Sequence, residues 1–122
     1  MSRPMGNRSA TRGKIVLVPF PFDDLSAAKV RPAVCLTEPV GWHRHVILAF
    51  ITSRIPGDLT DTDIVLDANA PDFAMTGLRV SSTLRLHRLM TVTTAVIVRE
   101  LGVLPSGTLD DVSAKLRRLF GW

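Results

Sequence analysis

The feature that most constrains the fold is a series of short apolar runs separated by turn residues. The runs are IVLV (15–18), PAVCLT (32–37), VILAFIT (46–52), DIVLD (63–67) and RVSSTLRLHRL (79–89). They are rich in Val and Ile, and their length and spacing favour strands over helices. In the last run Leu84 and Leu86 alternate with Arg85 and His87, which predicts one buried and one exposed face. The sequence therefore predicts a compact, mainly β body.

The C-terminal segment SGTLDDVSAKLRRLF predicts a helix. Within this segment Thr108 and Asp111 resemble a capping box. The apolar stripe of this helix consists of Leu109, Val112, Leu116, Leu119 and Phe120. Such a stripe packs against the β body or a partner subunit. Between the last run and the helix, residues 93–104 predict a helical turn followed by a short strand.

Length and charge bound the organisation. A chain of 122 residues with 46% hydrophobic content fits one domain with a modest core. Residues 1–12 lack hydrophobic periodicity and carry three arginines, so we predict a disordered basic arm followed by a single domain over 13–122. The formal charge of +4 suits a nucleic acid or an acidic protein partner.

The single cysteine indicates the compartment. Cys35 lies inside an apolar run, where a small buried hydrophobe is expected, and one cysteine cannot form a disulfide framework. Residues 1–13 are polar and basic, unlike a secretory signal, and no segment approaches the roughly 20 apolar residues of a membrane span. We expect a cytoplasmic protein with no membrane partner.

Arg31 stands directly before Pro32 at the start of the second run, after the long proline-containing loop Pro19–Lys29. The proline biases Arg31 to an extended conformation and marks the first residues of a strand. A planar guanidinium at the base of a loop suits a phosphate. The alternative is a surface arginine paired with Asp23 or Asp24.

The third run ends in Thr52-Ser53-Arg54. Two hydroxyls and a guanidinium at a strand end can bind a phosphate, or they can close the strand in a hydrogen-bonded turn. The order of residues along the chain leaves both interpretations open.

Other polar groups favour structural roles. His43 and His45 would share a face of a strand, but no neighbouring ligand completes a metal set. Asp58, Asp61 and Asp63 are expected to decorate a solvated hairpin, and we predict no metal site. Trp42 can stack on a base, receive a partner side chain or pack over a core edge.

Three stretches, in order, resemble the MazF/PemK family of toxin endoribonucleases. They are GKIVLVPFPFDDLSAAKVRPAVCL, VILAFITSR and GLRVSSTLRLHRLMTV, followed by the tail helix. The most specific parts are the G-x-I-x-x-V-x-F opening, the R-P of the second run and the I-T-S of the third. The resemblance covers about residues 13–120.

This resemblance implies a small SH3-like barrel, related to that of CcdB, with five to seven strands and a C-terminal helix. It implies a homodimer that cleaves single-stranded mRNA without a metal or other cofactor, through attack of the ribose 2′-hydroxyl on the adjacent phosphorus. It also implies a cognate antitoxin protein that inhibits the toxin by occupying the RNA groove.

The resemblance assigns the catalytic roles to Arg31 and Thr52. We expect Arg31 to stabilise charge on the phosphate, because an arginine is a poor general base at neutral pH. His87 is the candidate for a proton shuttle, the alternative being a half-exposed strand histidine with no role. The expected substrate-binding residues are Phe20, Lys29, Ser53, Arg54, His87 and Arg88.

Two other functions remain open from the sequence. Toxins that resemble CcdB share the fold but act by binding DNA gyrase, and the aromatic C-terminus Phe120-Gly121-Trp122 keeps such a protein-binding function possible. The other is that of an inactive barrel that only binds nucleic acid.

Overall fold

The computed structural model describes residues 10–20 and 29–122, and these residues form six strands and one α-helix. The strands are β1 (Lys14–Pro19), β2 (Val30–Cys35), β3 (His45–Thr52), β4 (Asp63–Leu66), β5 (Ser82–Thr93) and β6 (Arg99–Val103), and the helix is α1 (Ser106–Phe120). Short 3-10 turns at Phe73–Thr76 and Thr94–Val96 precede β5 and β6. The five predicted strands, the C-terminal helix and the turn followed by a strand in 93–104 are all confirmed.

The strands of the described residues form one curled antiparallel sheet, an open half-barrel with the order β4-β5-β3-β2-β1-β6. The long strand β5 lies between β3 and β4 and pairs with both. In this order the end of β3 lies beside the start of β5, with Thr52 opposite Thr83, and the start of β2 and the end of β1 follow on the other side of β3.

Apolar side chains fill both faces of the central strands. Ile15 and Val34 belong to the cluster beneath the helix, whereas their neighbours Val16 and Cys35 belong to a second cluster. Successive residues of a strand point to opposite faces, so burial of both faces explains the nearly continuous apolar runs. Cys35 is fully buried, as predicted, and burial raises the pKa of its thiol to about 11.

A β-bulge interrupts the pairing of β3 with β5 between Ala49 and Ile51. Beyond it the register resumes with Ile51 opposite Leu84 and Thr52 opposite Thr83. A bulge bends the strand and redirects its side chains. Here it lies immediately before the residues that line the cavity described below.

The predicted capping box at Thr108 is wrong. Helix α1 begins at Ser106 after Pro105, and no side chain caps its first turn. Pro105 has an extended ψ of 149°, and its carbonyl accepts the first helical hydrogen bond, from the amide of Leu109, at 2.9 Å. The helix therefore begins at Ser106, as predicted, and follows the buried pair Leu104-Pro105 instead of a capping side chain.

The entry to β1 is tied to the body. The amides of Thr11 and Arg12 donate to the carboxylate of Glu38, and these hydrogen bonds lower the pKa of that carboxyl. The Arg12 guanidinium donates to Ser113 on α1 at 2.7 Å. Most of the predicted arm lies outside the described residues, so its disorder and the boundary at residue 13 stay predictions.

Candidate functional site

A cavity of about 430 Å³ opens between the end of β1, the start of β2, the end of β3 and the side chains of Arg85 and Arg88 on β5. It is lined by Phe20, Arg31, Pro32, Phe50, Ile51, Thr52, Ser53, Arg54, Arg85 and Arg88. Four of these residues are arginines, and among the described residues no carboxylate lines the wall. Such a cavity attracts anions and repels cations.

Arg31 is fixed by the sheet. It is the second residue of β2 and lies opposite Val18 of β1, while Pro32 lies opposite Leu17. The extended backbone that Pro32 favours places the half-buried Arg31 side chain at the cavity wall. The alternative partners Asp23 and Asp24 lie outside the described residues.

Phe20 organises the cations at the base of the cavity. The guanidinium carbons of Arg31 and Arg88 lie 6.0 and 5.4 Å from the centroid of its ring. The ring is buried and meets Phe50 edge to face, with centroids 4.7 Å apart and planes at 72°. The face of an aromatic ring carries partial negative charge, so one ring stabilises both cations.

The end of β3 contributes three consecutive side chains, those of Thr52, Ser53 and Arg54. Thr52 is half-buried and lies opposite Thr83 of β5. The fully buried Thr83 donates its hydroxyl hydrogen bond to the carbonyl of Arg54 at 2.8 Å. The segment is thus held by a hydrogen bond from the buried Thr83 and also lines the cavity, so both interpretations of the sequence stay predictions.

Arg85 is held by a buried carboxylate. Its Nε and Nη2 donate to the two carboxylate oxygens of Asp63 at 3.2 and 3.0 Å, and its Nη1 lies 3.6 Å from Asp58. Burial alone would raise the pKa of Asp63, but the hydrogen bonds from Arg85 and the Thr60 amide outweigh burial and lower that pKa. The hydrogen bonds to Asp63 raise the pKa of Arg85.

The expectation that Asp63 decorates a solvated hairpin is therefore wrong. Its side chain is 1% exposed, because Asp63 opens β4 directly opposite Arg85 of β5. The cross-strand pairing buries the carboxylate together with its cation. Asp58 and Asp61, in contrast, are exposed as expected.

Two expected substrate-binding residues lie beside the cavity rather than in it. Of the residues that the structure describes, neither Lys29 nor His87 lines the wall. Lys29 is exposed, and its carbonyl accepts the amide hydrogen bond of Phe20 at 2.8 Å. His87 is 41% exposed at its side chain, with Nδ1 3.9 Å from Asp63. The cavity does bring together Phe20 and Arg88 with the residues of the β2 start and the β3 end.

Sequence reasoning missed Arg85, Phe50 and Thr83 as parts of the site. The alternation in β5 correctly places Leu84 and Leu86 in the core and Arg85 outside that cluster. That alternation could have drawn attention to Arg85, but its place in the cavity depends on the register with β3 and the bulge. Phe50 and Thr83 gave no signal beyond that of ordinary strand residues.

The remaining aromatic residues lie on the surface. Trp42 is 93% exposed, so packing over a core edge is the wrong interpretation for it. Phe120 and Trp122 stack on each other with centroids 5.1 Å apart and remain exposed. In the described part of the chain, no group of three His, Cys, Asp or Glu side chains is arranged to hold a metal ion. No helix of residues 10–20 and 29–122 has the length and apolar character to cross a membrane.

The fold and the site define a small antiparallel half-barrel with a cavity at its strand ends that is lined by arginines and contains the ring of Phe20. Three solved structures are similar in fold. The Mycobacterium tuberculosis toxin MazF-mt6 aligns with a TM-score of 0.67 at 21% identity, over 88% of this chain and 96% of that one. MazF from Deinococcus radiodurans aligns with a TM-score of 0.66 at 22% identity, and the alignment covers 91% of this chain and 96% of that one. An endoribonuclease from a mycobacterial species, solved with its cognate antitoxin, aligns with a TM-score of 0.66 at 12% identity. This alignment covers 93% of this chain and 96% of that one.

The family is established by sequence. The family model described as PemK-like, MazF-like toxin of type II toxin-antitoxin system matches residues 11–120. The chain therefore belongs to this family of toxins. A search of curated proteins gives no match.

Proposed function

We propose that the chain is a toxin endoribonuclease that cleaves single-stranded mRNA. The observation that carries the proposal is the convergence of Arg31, Arg88 and Thr52 on one cavity of about 430 Å³. Membership of the toxin family and the fold shared with a mycobacterial endoribonuclease support it.

The proposed reaction requires positive charge more than any other group. The ribose 2′-hydroxyl attacks the adjacent phosphorus and the bond to the 5′-oxygen of the next nucleotide breaks, which leaves a cyclic phosphate and a 5′-hydroxyl end. Negative charge builds on the non-bridging oxygens during this step. We assign Arg31 to stabilise that charge and the Thr52 hydroxyl to donate a hydrogen bond to the same phosphate.

Arg88 is the second cation of the proposed site. Because the guanidiniums of Arg88 and Arg31 both lie against the ring of Phe20, we propose that the substrate does not need to order them. Ser53 and Arg54 extend the basic wall from the end of β3 and are proposed to contact the flanking RNA. Contacts from Lys29 and His87 are proposed only for RNA that extends beyond the cavity.

The nucleophile in this reaction belongs to the substrate itself, so the proposal includes no metal-bound water and no cofactor. It also explains why the site would not cleave DNA, which lacks the 2′-hydroxyl. A proton shuttle by His87 is not part of the proposal, because its Nδ1 faces Asp63.

A protein antitoxin and a homodimer complete the proposal. Similar structures include MazE-MazF complexes from Deinococcus radiodurans and an endoribonuclease with its cognate antitoxin. A basic cavity suits an acidic peptide as well as RNA, so an antitoxin that competes with RNA fits its charge. We propose that the protein acts in the cytoplasm, where mRNA is present and a single cysteine stays reduced.

The alternative is a toxin that binds a target protein, such as DNA gyrase, without enzymatic activity. The observation in its favour is the exposed, stacked pair Phe120 and Trp122 at the end of α1. Aromatic residues of this kind are enriched at protein interfaces.

The deciding experiment is cleavage of a long single-stranded RNA in excess EDTA, with mapping of the fragment ends. The wild-type chain should give specific fragments with 5′-hydroxyl ends, and Arg31→Ala should lower the rate by at least about 100-fold. Arg117→Ala, at an exposed arginine of the last helical turn, is the matched control and should cleave normally. Intact RNA with a folded wild-type protein would instead favour the protein-binding alternative.

A further inference from the structure

Arg85 is rigidly held along one edge of its guanidinium. The Nε and Nη2 atoms form a paired set of hydrogen bonds with Asp63, at 3.2 and 3.0 Å. The Asp63 side chain is 1% exposed and lies opposite Arg85 in the register of β4 and β5. A two-point contact with a planar guanidinium fixes the direction in which its remaining hydrogen-bond donors face.

The other edge of Arg85 has a much weaker partner. Its Nη1 lies 3.6 Å from Asp58 Oδ1, beyond ordinary hydrogen-bond distance, and the Asp58 side chain is 83% exposed. Water screens such an exposed ion pair, which contributes little stability. Within the described residues, Arg85 therefore has one permanent acidic partner and one that an incoming anion can replace.

The position of Arg85 shows where such an anion would be bound. Arg85 lines the same cavity as Arg31, Arg88 and Thr52, although its side chain is only 15% exposed. Arg31 and Arg88 are arranged around Phe20, whereas Arg85 is held separately by β4. The cavity thus carries a third, independently oriented cation.

We propose that Arg85 binds a phosphate of the RNA substrate through its Nη1 edge, and that this phosphate displaces Asp58. The inference rests on the proposed function and deepens it by assigning a substrate-binding residue and a competing carboxylate. Arg85 acts in binding rather than in bond cleavage, since Asp63 already neutralises much of its charge.

We assign a phosphodiester to this edge because the proposed substrate is RNA. Non-bridging phosphate oxygens carry a full charge that one guanidinium edge can engage, and RNA presents a phosphate at every nucleotide. Because Arg85, Arg31 and Arg88 line one cavity, we assign different phosphates of one RNA strand to Arg85 and to the pair Arg31 and Arg88. Asp58 does not line the cavity, but its Oδ1 lies 3.6 Å from Nη1, so it competes with that phosphate for this edge and weakens binding.

The test is the affinity of each variant for a fluorescein-labelled, 2′-O-methyl oligoribonucleotide of mixed sequence, measured by anisotropy at low salt. The 2′-O-methyl groups prevent cleavage, so binding is read separately from activity. Asp58→Asn should tighten binding about two- to fivefold, because it removes a competing but screened charge. Asp72→Asn, an equal charge change at an exposed loop residue, should leave the affinity at the wild-type value.

A paired variant tests whether the effect passes through Arg85. Asp63→Asn with Arg85→Gln removes both charges together and avoids leaving a buried carboxylate unpaired. This variant should bind the oligonucleotide about tenfold more weakly, and its dependence of log affinity on log salt should be less steep by about 0.7. Adding Asp58→Asn to it should give no further change. If the paired variant fails to fold by circular dichroism, the comparison of Asp58→Asn with Asp72→Asn decides.

Equal affinities for Asp58→Asn and Asp72→Asn would overturn the inference, as would an Asp58 effect that persists without Arg85. Tighter binding of an oligoglutamate peptide by Asp58→Asn, with no change for the oligonucleotide, would also overturn it. Cleavage of unmodified RNA by the wild type is measured in parallel. Cleavage without an Asp58 effect rejects only this inference, whereas absence of cleavage rejects the proposed function.

Discussion

The guanidinium of Arg88 lies 5.4 Å from the centroid of the Phe20 ring, and that of Arg31 lies 6.0 Å from the same centroid. Two cations that repel each other are thus placed on one buried aromatic side chain, which is itself supported by Phe50. The partial negative charge on the face of the ring offsets part of their mutual repulsion. Phe20 is therefore a positioning residue for the proposed phosphate site.

The first prediction concerns this ring. Phe20→Leu preserves an apolar side chain in the buried position but removes both contacts between a cation and a π face. We expect kcat/KM for RNA cleavage to fall about five- to thirtyfold, because each of the two contacts is worth about 0.5–1 kcal/mol. The measurement is steady-state cleavage of a fluorogenic RNA that contains the mapped site.

Phe73→Leu is the control for this variant, because Phe73 is a half-buried phenylalanine that packs against the other core cluster. It should lose stability to a similar degree but keep kcat/KM. Equal kinetic losses in Phe20→Leu and Phe73→Leu would mean that general loosening of the core, rather than placement of the arginines, limits activity.

The second prediction separates the hydroxyl of Thr52 from its shape. Thr52→Val keeps the β-branched side chain opposite Thr83 but cannot donate a hydrogen bond to the phosphate. We expect kcat to fall about 10- to 100-fold with little change in KM, since the hydrogen bond strengthens as charge develops. Single-turnover cleavage at saturating RNA measures the chemical step directly.

Thr52→Ser supplies the matched control, because it restores the hydroxyl and removes only a methyl group. It should keep most of the wild-type kcat. A Thr52→Val variant as active as Thr52→Ser would show that this hydroxyl plays no part in the reaction.

Local pattern was sufficient to predict the strands and the C-terminal helix. Val and Ile content and turn residues mark the strands, and the end of the helix at Phe120 follows from Gly121, which adopts a left-handed φ of 73°. The predicted span of the helix, 106–120, is confirmed, but its start follows Pro105, whose neighbour Leu104 is buried, and not a capping side chain at Thr108.

The site could be predicted only where a residue's role depends on its own strand. Arg31 and Thr52 lie at the beginning and the end of strands that the sequence marks clearly. The partnership of Arg85 with Asp63 depends instead on the register between β4 and β5, which residues 22 positions apart in sequence do not reveal. For the same reason the sequence wrongly predicts that the Asp63 side chain is exposed to solvent.

The third prediction is a pH dependence of stability that arises from Asp63. The hydrogen bonds from Arg85 lower its pKa in the folded state, although burial opposes them. The folded protein therefore binds this proton less readily than the unfolded chain. The resulting stability is fully present above the unfolded pKa, about 3.9, and is lost as the pH falls through the lower, folded value.

The measurement is urea unfolding of the wild type and of Asp63→Asn at a series of pH values, from pH 7 to below the unfolded pKa of about 3.9. Near pH 7 the variant should be less stable by about 3 kcal/mol, since it leaves the Arg85 charge without its buried partner. The difference should shrink as the pH falls, because the protonated wild-type carboxyl then resembles the amide. Asp72→Asn should follow the wild type throughout, and a constant gap between wild type and Asp63→Asn would contradict the assignment.

The last prediction concerns the contact that packs the 3-10 turn Phe73–Thr76 against β6. A Cβ on Gly102 would lie 2.6 Å from the carbonyl carbon of Thr76 and 2.7 Å from its oxygen, closer than such atoms approach. Gly102→Ala must therefore push the turn away from the strand. We expect a loss of about 1–3 kcal/mol in the free energy of unfolding, measured by urea titration.

Gly107→Ala introduces the same methyl group on α1, where nothing lies within 4 Å, and should leave stability unchanged or slightly increased. Equal stability of the two variants would mean that the turn yields to the methyl group without cost.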